Sequence, residues 1–323
     1  MKTKDGFSRQ LATVPVPMGG LALGIASLGW CLENAAPLGG ASHAASAVVA
    51  ALLLAPLIGK YLFHPWLLRQ EAVHSMTGAM MPAAAMCMMI IAHALASFSP
   101  FAGNALWLVA VFLHLALLSV FAGCRFHEIV TRRMELAHVA PNWQIPPIGI
   151  MVATVTCPDA AFVPLAQGLM FLGLACGVIL VPLVVFRLIF AAPLPPPAQA
   201  SIAILAAPAS LGLSAWLTLF APDSAWQVLT TAALFGSALM LTAIVYLSMF
   251  RLLRLPFTLG WAAMTFPMVI GASALYKMAG LLEGEGEGIR LLAHIEAGVA
   301  TLIVLYVAMR FLHHYMTLEA RSG

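Results

Sequence analysis

Charge is what this chain has least of. Only 8% of its 323 residues are Asp, Glu, Lys or Arg, and 62% are hydrophobic; a soluble domain carries about 25% charged residues. No polar stretch is long enough for a separate soluble domain, so residues 1–323 read as one transmembrane domain. Cysteine is also sparse and dispersed. Cys31, Cys87, Cys124, Cys157 and Cys176 never form CxxC spacing, which argues against a disulfide framework or a zinc site and leaves them as small apolar packers. His127-Glu128 lacks the second histidine of a metalloprotease helix. Paired carboxylates, metal-ligand clusters and nucleophile motifs are missing as well. The expectation is therefore no enzyme, no cofactor, no metal and no nucleic-acid partner. No lysine or arginine lies deep in an apolar stretch and no acid is clearly central, which counts against obligate ion coupling, since coupling needs a titratable or coordinating group at mid-membrane.

Long apolar runs are what the chain has in abundance. A helix needs about 20 apolar residues to cross a bilayer, and runs of that kind fall at 14–32, 43–63, 77–97, 101–122, 145–164, 167–188, 200–220, 224–249, 257–279 and 289–312. The expected fold is all-α, a polytopic membrane protein of ten transmembrane helices. Pro158-Asp159 interrupts the fifth run. Lys2, Lys4 and Arg9 precede an apolar run from Leu11 to Leu32, longer than the h-region of a signal peptide, so the first run is read as a retained helix. With ten crossings, thirteen Lys and Arg residues fall on one side and only Lys277 and Arg290 on the other. By the positive-inside rule, both termini are expected in the cytoplasm and the chain in the inner membrane.

Every second run carries a proline near its start: Pro17, Pro82, Pro147, Pro208 and Pro267, at intervals of 65, 65, 61 and 59 residues. A proline within a helix removes a hydrogen bond and clashes with the preceding turn. The beat predicts five helical hairpins, each with one bent member, the odd helices forming a ring around a central pore. Small residues follow the prolines, including Gly19, Gly20, Gly24, Gly149, Gly212 and Gly271; they either pack helices closely or leave room for a lumen. Thr154, Thr156 and Asp159 in the fifth run, and Ser210 and Ser214 in the seventh, are candidate pore-lining groups. Hydroxyls can replace part of an anion's hydration shell, or bond their own helix backbone. His93, His114 and His294 are read as interhelical hydrogen-bonding groups. Asp159 and Glu296 are read as structural or mouth residues. The loop from Arg125 to Gln144 is the longest polar segment, and its charges, including Arg132-Arg133, are expected to make a solvated helix or turn near lipid headgroups.

The odd helices begin on the cytoplasmic side, so their positive dipole ends and the basic loops favour an anion there. Carbonyls freed by proline would instead attract cations, and electrostatics alone leaves the choice open. A more specific signal is Gly260-Trp261-Ala262-Ala263-Met264-Thr265-Phe266-Pro267-Met268, which resembles the ninth helix of the tellurite-resistance/dicarboxylate transporter family. That family includes bacterial tellurite-resistance channels, plant slow anion channels, and fungal malate and sulfite transporters. Val14-Pro15-Val16-Pro17-Met18-Gly19-Gly20 is similar to the family's first helix. The resemblance implies a homotrimer in the lipid bilayer, with one five-helix pore per protomer occluded by a phenylalanine, here Phe266. At 100° per residue, Ser273 and Lys277 lie within about 20° of Phe266, and Ala262 lies about 40° away on the preceding turn. Gly19, Ala262, Ser273 and Lys277 therefore join the candidate pore-lining residues, Lys277 either at the mouth or snorkelling to headgroups.

The leading expectation is a gated passive anion channel for inorganic or small organic anions. The alternative is a carrier of C4-dicarboxylate, sulfite or tellurite, with or without proton coupling, in which His93, Asp159 or Glu296 would matter.

Overall fold

A computed structural model describes residues 8–282 and 284–322, with side chains to residue 317. Every regular element among the described residues is helical. The principal helices are α1 (Met18–Ala35), α2 (Ala41–Phe63), α3 (Pro82–Ala96), α4 (Pro100–Val130), α5 (Ile145–Gly149), α6 (Val163–Phe190), α7 (Ala207–Leu219), α8 (Ala225–Leu252), α9 (Phe266–Leu281) and α10 (Glu287–Ser322). Shorter helices, several of them 3-10, run into these from the N-terminal side, at Ser75–Met80, Pro141–Gln144, Pro196–Ala206 and Leu259–Met264.

Eight stretches are helical, long and apolar enough to cross a membrane: Ala41–Phe63, Ser75–Ala96, Pro100–Val130, Ala160–Phe190, Pro196–Leu219, Ala225–Leu252, Leu259–Leu281 and Glu287–Thr317. Two of the ten expected spans fall outside that set. The first, α1, has 18 residues. The run at 145–164 is not one helix: α5 is followed by a four-residue helix, Val152–Val155, and the chain next turns helical at Ala160–Phe162. Pro158 lacks the N–H a helix would use and pushes Cys157 away from helical dihedrals.

The phased prolines open helices instead of bending them. Pro17 is the N-cap residue of α1. Pro82 begins α3, and Pro208 and Pro267 are the second residues of α7 and α9. Pro147 lies in the short α5. In the first turn a helix has no intrahelical partner for the N–H, so a proline there costs little and presets φ. The expected mid-helix bend is thus a break, with a short or 3-10 lead-in on one side and an α-helix on the other.

The odd-numbered segments touch in a closed order: α1 on α3, α3 on α5, α5 and Val152–Val155 on α7, α7 on α9, and α9 on α1. Each also packs on the even helix that follows it. In the most apolar part of the even helices 22–39% of residues are buried, against 61–83% for the odd segments among the eight. Even helices therefore face outward with exposed apolar side chains such as Phe112, Val178 and Leu247, and odd ones lie inside.

Basic residues at the C-terminal ends of even helices tie the lead-ins down. Lys60 donates to Glu71 at 2.5 Å and to the Val14 carbonyl at 2.8 Å. Arg125 lies 5.4 Å from both the Phe121 and Trp143 rings and donates to the Val73 carbonyl. Arg187, 2% exposed, donates to the Ala137 carbonyl. The segment 125–144 is accordingly not a solvated loop throughout: Val139, Asn142, Trp143 and Gln144 are buried.

Candidate functional site

Two cavities lie inside the ring. The first, of about 60 Å³, is walled by Gly20 and Leu23 of α1, Met80, Ala83 and Met86 around α3, Gln144, Ile145, Ile148 and Gly149 around α5, Ile204, Ala207, Pro208 and Leu211 around α7, and Ala262, Ala263, Phe266 and Pro267 around α9. The second, of about 80 Å³, is walled by Ser27, Trp30, Asn34, Ile90, Val152, Val155, Leu211, Ser214, Phe266, Ile270, Ser273 and Lys277. Both draw on all five odd segments. Only Leu211 and Phe266 line both.

Helical periodicity produces these walls. Gly20, Leu23, Ser27, Trp30 and Asn34 recur at spacings of three and four residues, one face of α1. Phe266, Ile270, Ser273 and Lys277 do the same on α9. Phe266 is the first residue of α9, directly after the 3-10 lead-in. That junction is pinned by Thr265, whose hydroxyl contacts the Ala262 carbonyl at 2.8 Å and the Gly20 carbonyl at 3.2 Å. Gly24 makes room for it, because a Cβ there would stand 2.3 Å from Thr265 Oγ1. The Phe266 ring is therefore set by a backbone break held against α1, and is 7% exposed.

The chambers differ in polarity. Among the described residues no charged side chain lines the first, and the first turns of α3, α7 and α9 contribute Ala83, Ala207, Pro208, Phe266 and Pro267 to its wall. In the second, the Ser27 and Ser273 hydroxyls donate to the carbonyls of Leu23 and Val269, at 2.7 and 3.1 Å. Ser214 Oγ is buried without a hydrogen-bond partner among the described residues. Lys277 donates to the Ser214 carbonyl at 3.1 Å and to Thr218 Oγ1, and also borders a wider groove of about 360 Å³ beside Thr218 and Phe220. Trp30 stacks on His43 and lies 4.7 Å from the ring of His93.

Of the residues singled out in the sequence, Ala262 and Phe266, with Pro208 and Pro267, meet at the first chamber; Ser214, Ser273 and Lys277 meet at the second. Gly20 and Gly149 also line the first; the other candidates line neither. Gly19 packs on Ala84, whose Cβ is 3.1 Å from where a glycine Cβ would be. Thr154 and Thr156 bond the Ala166 and Val152 carbonyls at 2.8 and 2.7 Å. Ser210 bonds the Ala206 carbonyl at 2.9 Å and faces Glu296 across a smaller gap. Asp159 is exposed, and the Ala161 N–H and then the Asn104 amide hold its carboxyl below the usual range. Pro17, Pro82 and Pro147 border the ring without lining a chamber. Leu211, Gln144, Ser27, Trp30 and Asn34 were missed. Phasing α1 on Gly20 instead of Gly19 would have found Ser27 and Asn34.

The family model for SLAC1, voltage-dependent anion channel, matches residues 7–312. The chain belongs to this family. The match spans nearly all of the chain and agrees with the resemblance carried by the Thr265-Phe266-Pro267-Met268 run. No curated protein matches the chain. Membership makes this a multi-pass membrane protein of an anion-transporting family.

Proposed function

We propose that the protein is a gated, passive anion channel whose pore follows the ring of odd segments and is closed by Phe266. One observation carries this reading: two cavities bounded by the same five segments share Phe266 and Leu211 in their walls. Ten crossings belong to the proposal. At 1.5 Å per residue α1 reaches about 27 Å, and the broken 141–155 segment lies inside the ring, where protein and not lipid surrounds irregular backbone. The basic excess puts both termini in the cytoplasm of an inner-membrane protein, so the first chamber opens inward and Lys277 marks the outer mouth. The Lys277 ammonium at the second chamber, with no carboxylate among the described residues that line either, favours an anion. A homotrimer with one pore per protomer completes the reading, and cross-linking in native membranes tests it.

A second reading, a proton-coupled carrier of a dicarboxylate or oxyanion, is favoured by Glu296. Its residue is 5% exposed, its Oε2 has no partner among the described residues, and that oxygen lies 3.0 Å from the Cβ position of Gly271 on α9. Ion substitution on reconstituted wild type and Phe266→Ala decides between the two. A channel gives currents that reverse with the anion gradient and ignore a pH gradient. Saturable malate or sulfite uptake that collapses with the pH gradient overturns it.

A further inference from the structure

The first chamber contains one polar side chain in an otherwise apolar wall, Gln144. It is 1% exposed, and neither its Nε2 nor its Oε1 has a hydrogen-bond partner among the described residues. Burying a primary amide unpaired is destabilising, and the great majority of buried side-chain polar atoms are paired. Its position is not slack. Trp143 beside it meets Phe121 edge-on at 5.6 Å and lies under Arg125, Asn142 donates to the Met76 carbonyl at 3.0 Å, and two prolines follow at 146 and 147. The surroundings indicate what an amide there would meet. Among the described residues the chamber wall holds no carboxylate to repel an anion and no cationic side chain to neutralise one. A volume of about 60 Å³ holds roughly four to six water-sized spheres, enough for a small ion with a few waters and too little for a hydrated four-carbon diacid.

We propose that Gln144 is the anion ligand of the first chamber, its Nε2 donating a hydrogen bond to a small monovalent anion waiting beneath Phe266. The inference rests on the channel reading but names a binding residue that the reading does not require.

Bromide is the probe. Crystals of wild type and Gln144→Leu are grown in sodium bromide and the anomalous signal is mapped. The expected result is a peak within about 3.5 Å of Nε2 in wild type and none at that position in Gln144→Leu. The leucine variant should melt no lower than wild type, because it removes an unpaired amide at similar volume, whereas a merely structural glutamine would lower the melting temperature when replaced. In a Phe266→Ala background, Gln144→Glu should cut the anion-over-cation permeability ratio at least tenfold. No peak in wild type, a peak of equal height in Gln144→Leu, or a permeability ratio unmoved by Gln144→Glu overturns the assignment. If Phe266→Ala itself is silent, the gate falls, while the bromide maps still decide for Gln144.

Discussion

Replacing Phe266 with alanine should open a standing anion conductance. Phe266 lines both chambers, of about 60 and 80 Å³, so on the proposed channel reading its removal joins them into one path. The size of the effect follows from what wild type must do to conduct. An ion can pass only when the ring leaves its packed site, and fully burying a phenylalanine is worth about 1.5–3 kcal/mol. At 1.4 kcal/mol per factor of ten, wild type should spend roughly one part in ten to one part in a hundred of the time unblocked. Phe266→Ala should therefore raise anion current about ten- to hundredfold at equal surface expression, measured in oocytes or planar bilayers. The response should be graded, with leucine below alanine and tryptophan silent. Leu211 also lines both chambers, so Leu211→Ala should add to the leak. The stability cost should stay near the low end of the usual Phe→Ala range, about 3 kcal/mol, because the ring already borders empty space on both faces. A folded, surface-expressed Phe266→Ala protein without current would refute the reasoning.

Further predictions concern the parts that hold Phe266 and its approaches. Thr265→Val keeps the shape but loses the hydroxyl contact to the Gly20 carbonyl, and Gly24→Ala drives a methyl into the Thr265 side chain; both should loosen the Phe266 junction and produce partial leak in a liposome anion-efflux assay, and tight vesicles from both variants would remove Thr265 from gating. Lys277→Met on the Phe266→Ala background should lower anion current severalfold, more at low ionic strength than at high salt, since a half-buried charge at a mouth acts through partly screened steering; an anion current unchanged at every salt concentration would mean that Lys277 only packs. The α1–α2 turn is tied by Glu33, which accepts from the Ser42 hydroxyl and from the Gly40 and Ser42 N–H groups. The Ser42 hydroxyl, then the Gly40 N–H, hold the Glu33 carboxyl at about 2, below its ordinary 4.5. A depressed acid stabilises fully above its unfolded value, so protection of the Gly40 and Ser42 amides from hydrogen exchange should be constant above about pH 5 and fall as the pH drops toward 2. In Glu33→Gln that pH dependence should disappear.

The membrane character, the family and the alternation of inner and outer helices were legible in residue order, because each rests on a local or periodic property. Apolar runs report the bilayer directly, since their length is set by its thickness. The Phe266-to-Lys277 stripe was legible for the same reason, the helix period being the same in every fold. Reading the prolines as kinks failed because a proline's effect depends on its distance from the helix end, and those ends are decided by 3-10 lead-ins such as Pro196–Ala206 and Leu259–Met264, packed against other segments. Thr154, Thr156 and Ser210 looked like lumen hydroxyls until their partners were known; each bonds a backbone carbonyl. Gln144 was placed in a loop because its burial depends on Arg125 and the closing of the ring, neither of them part of a local pattern. By itself the sequence determined that this chain crosses a membrane repeatedly and which family it belongs to, through composition, period and one short motif. Only the tertiary structure decided which side chains share a cavity and that Phe266 and Leu211 line two of them, because a cavity wall is made where five distant segments meet.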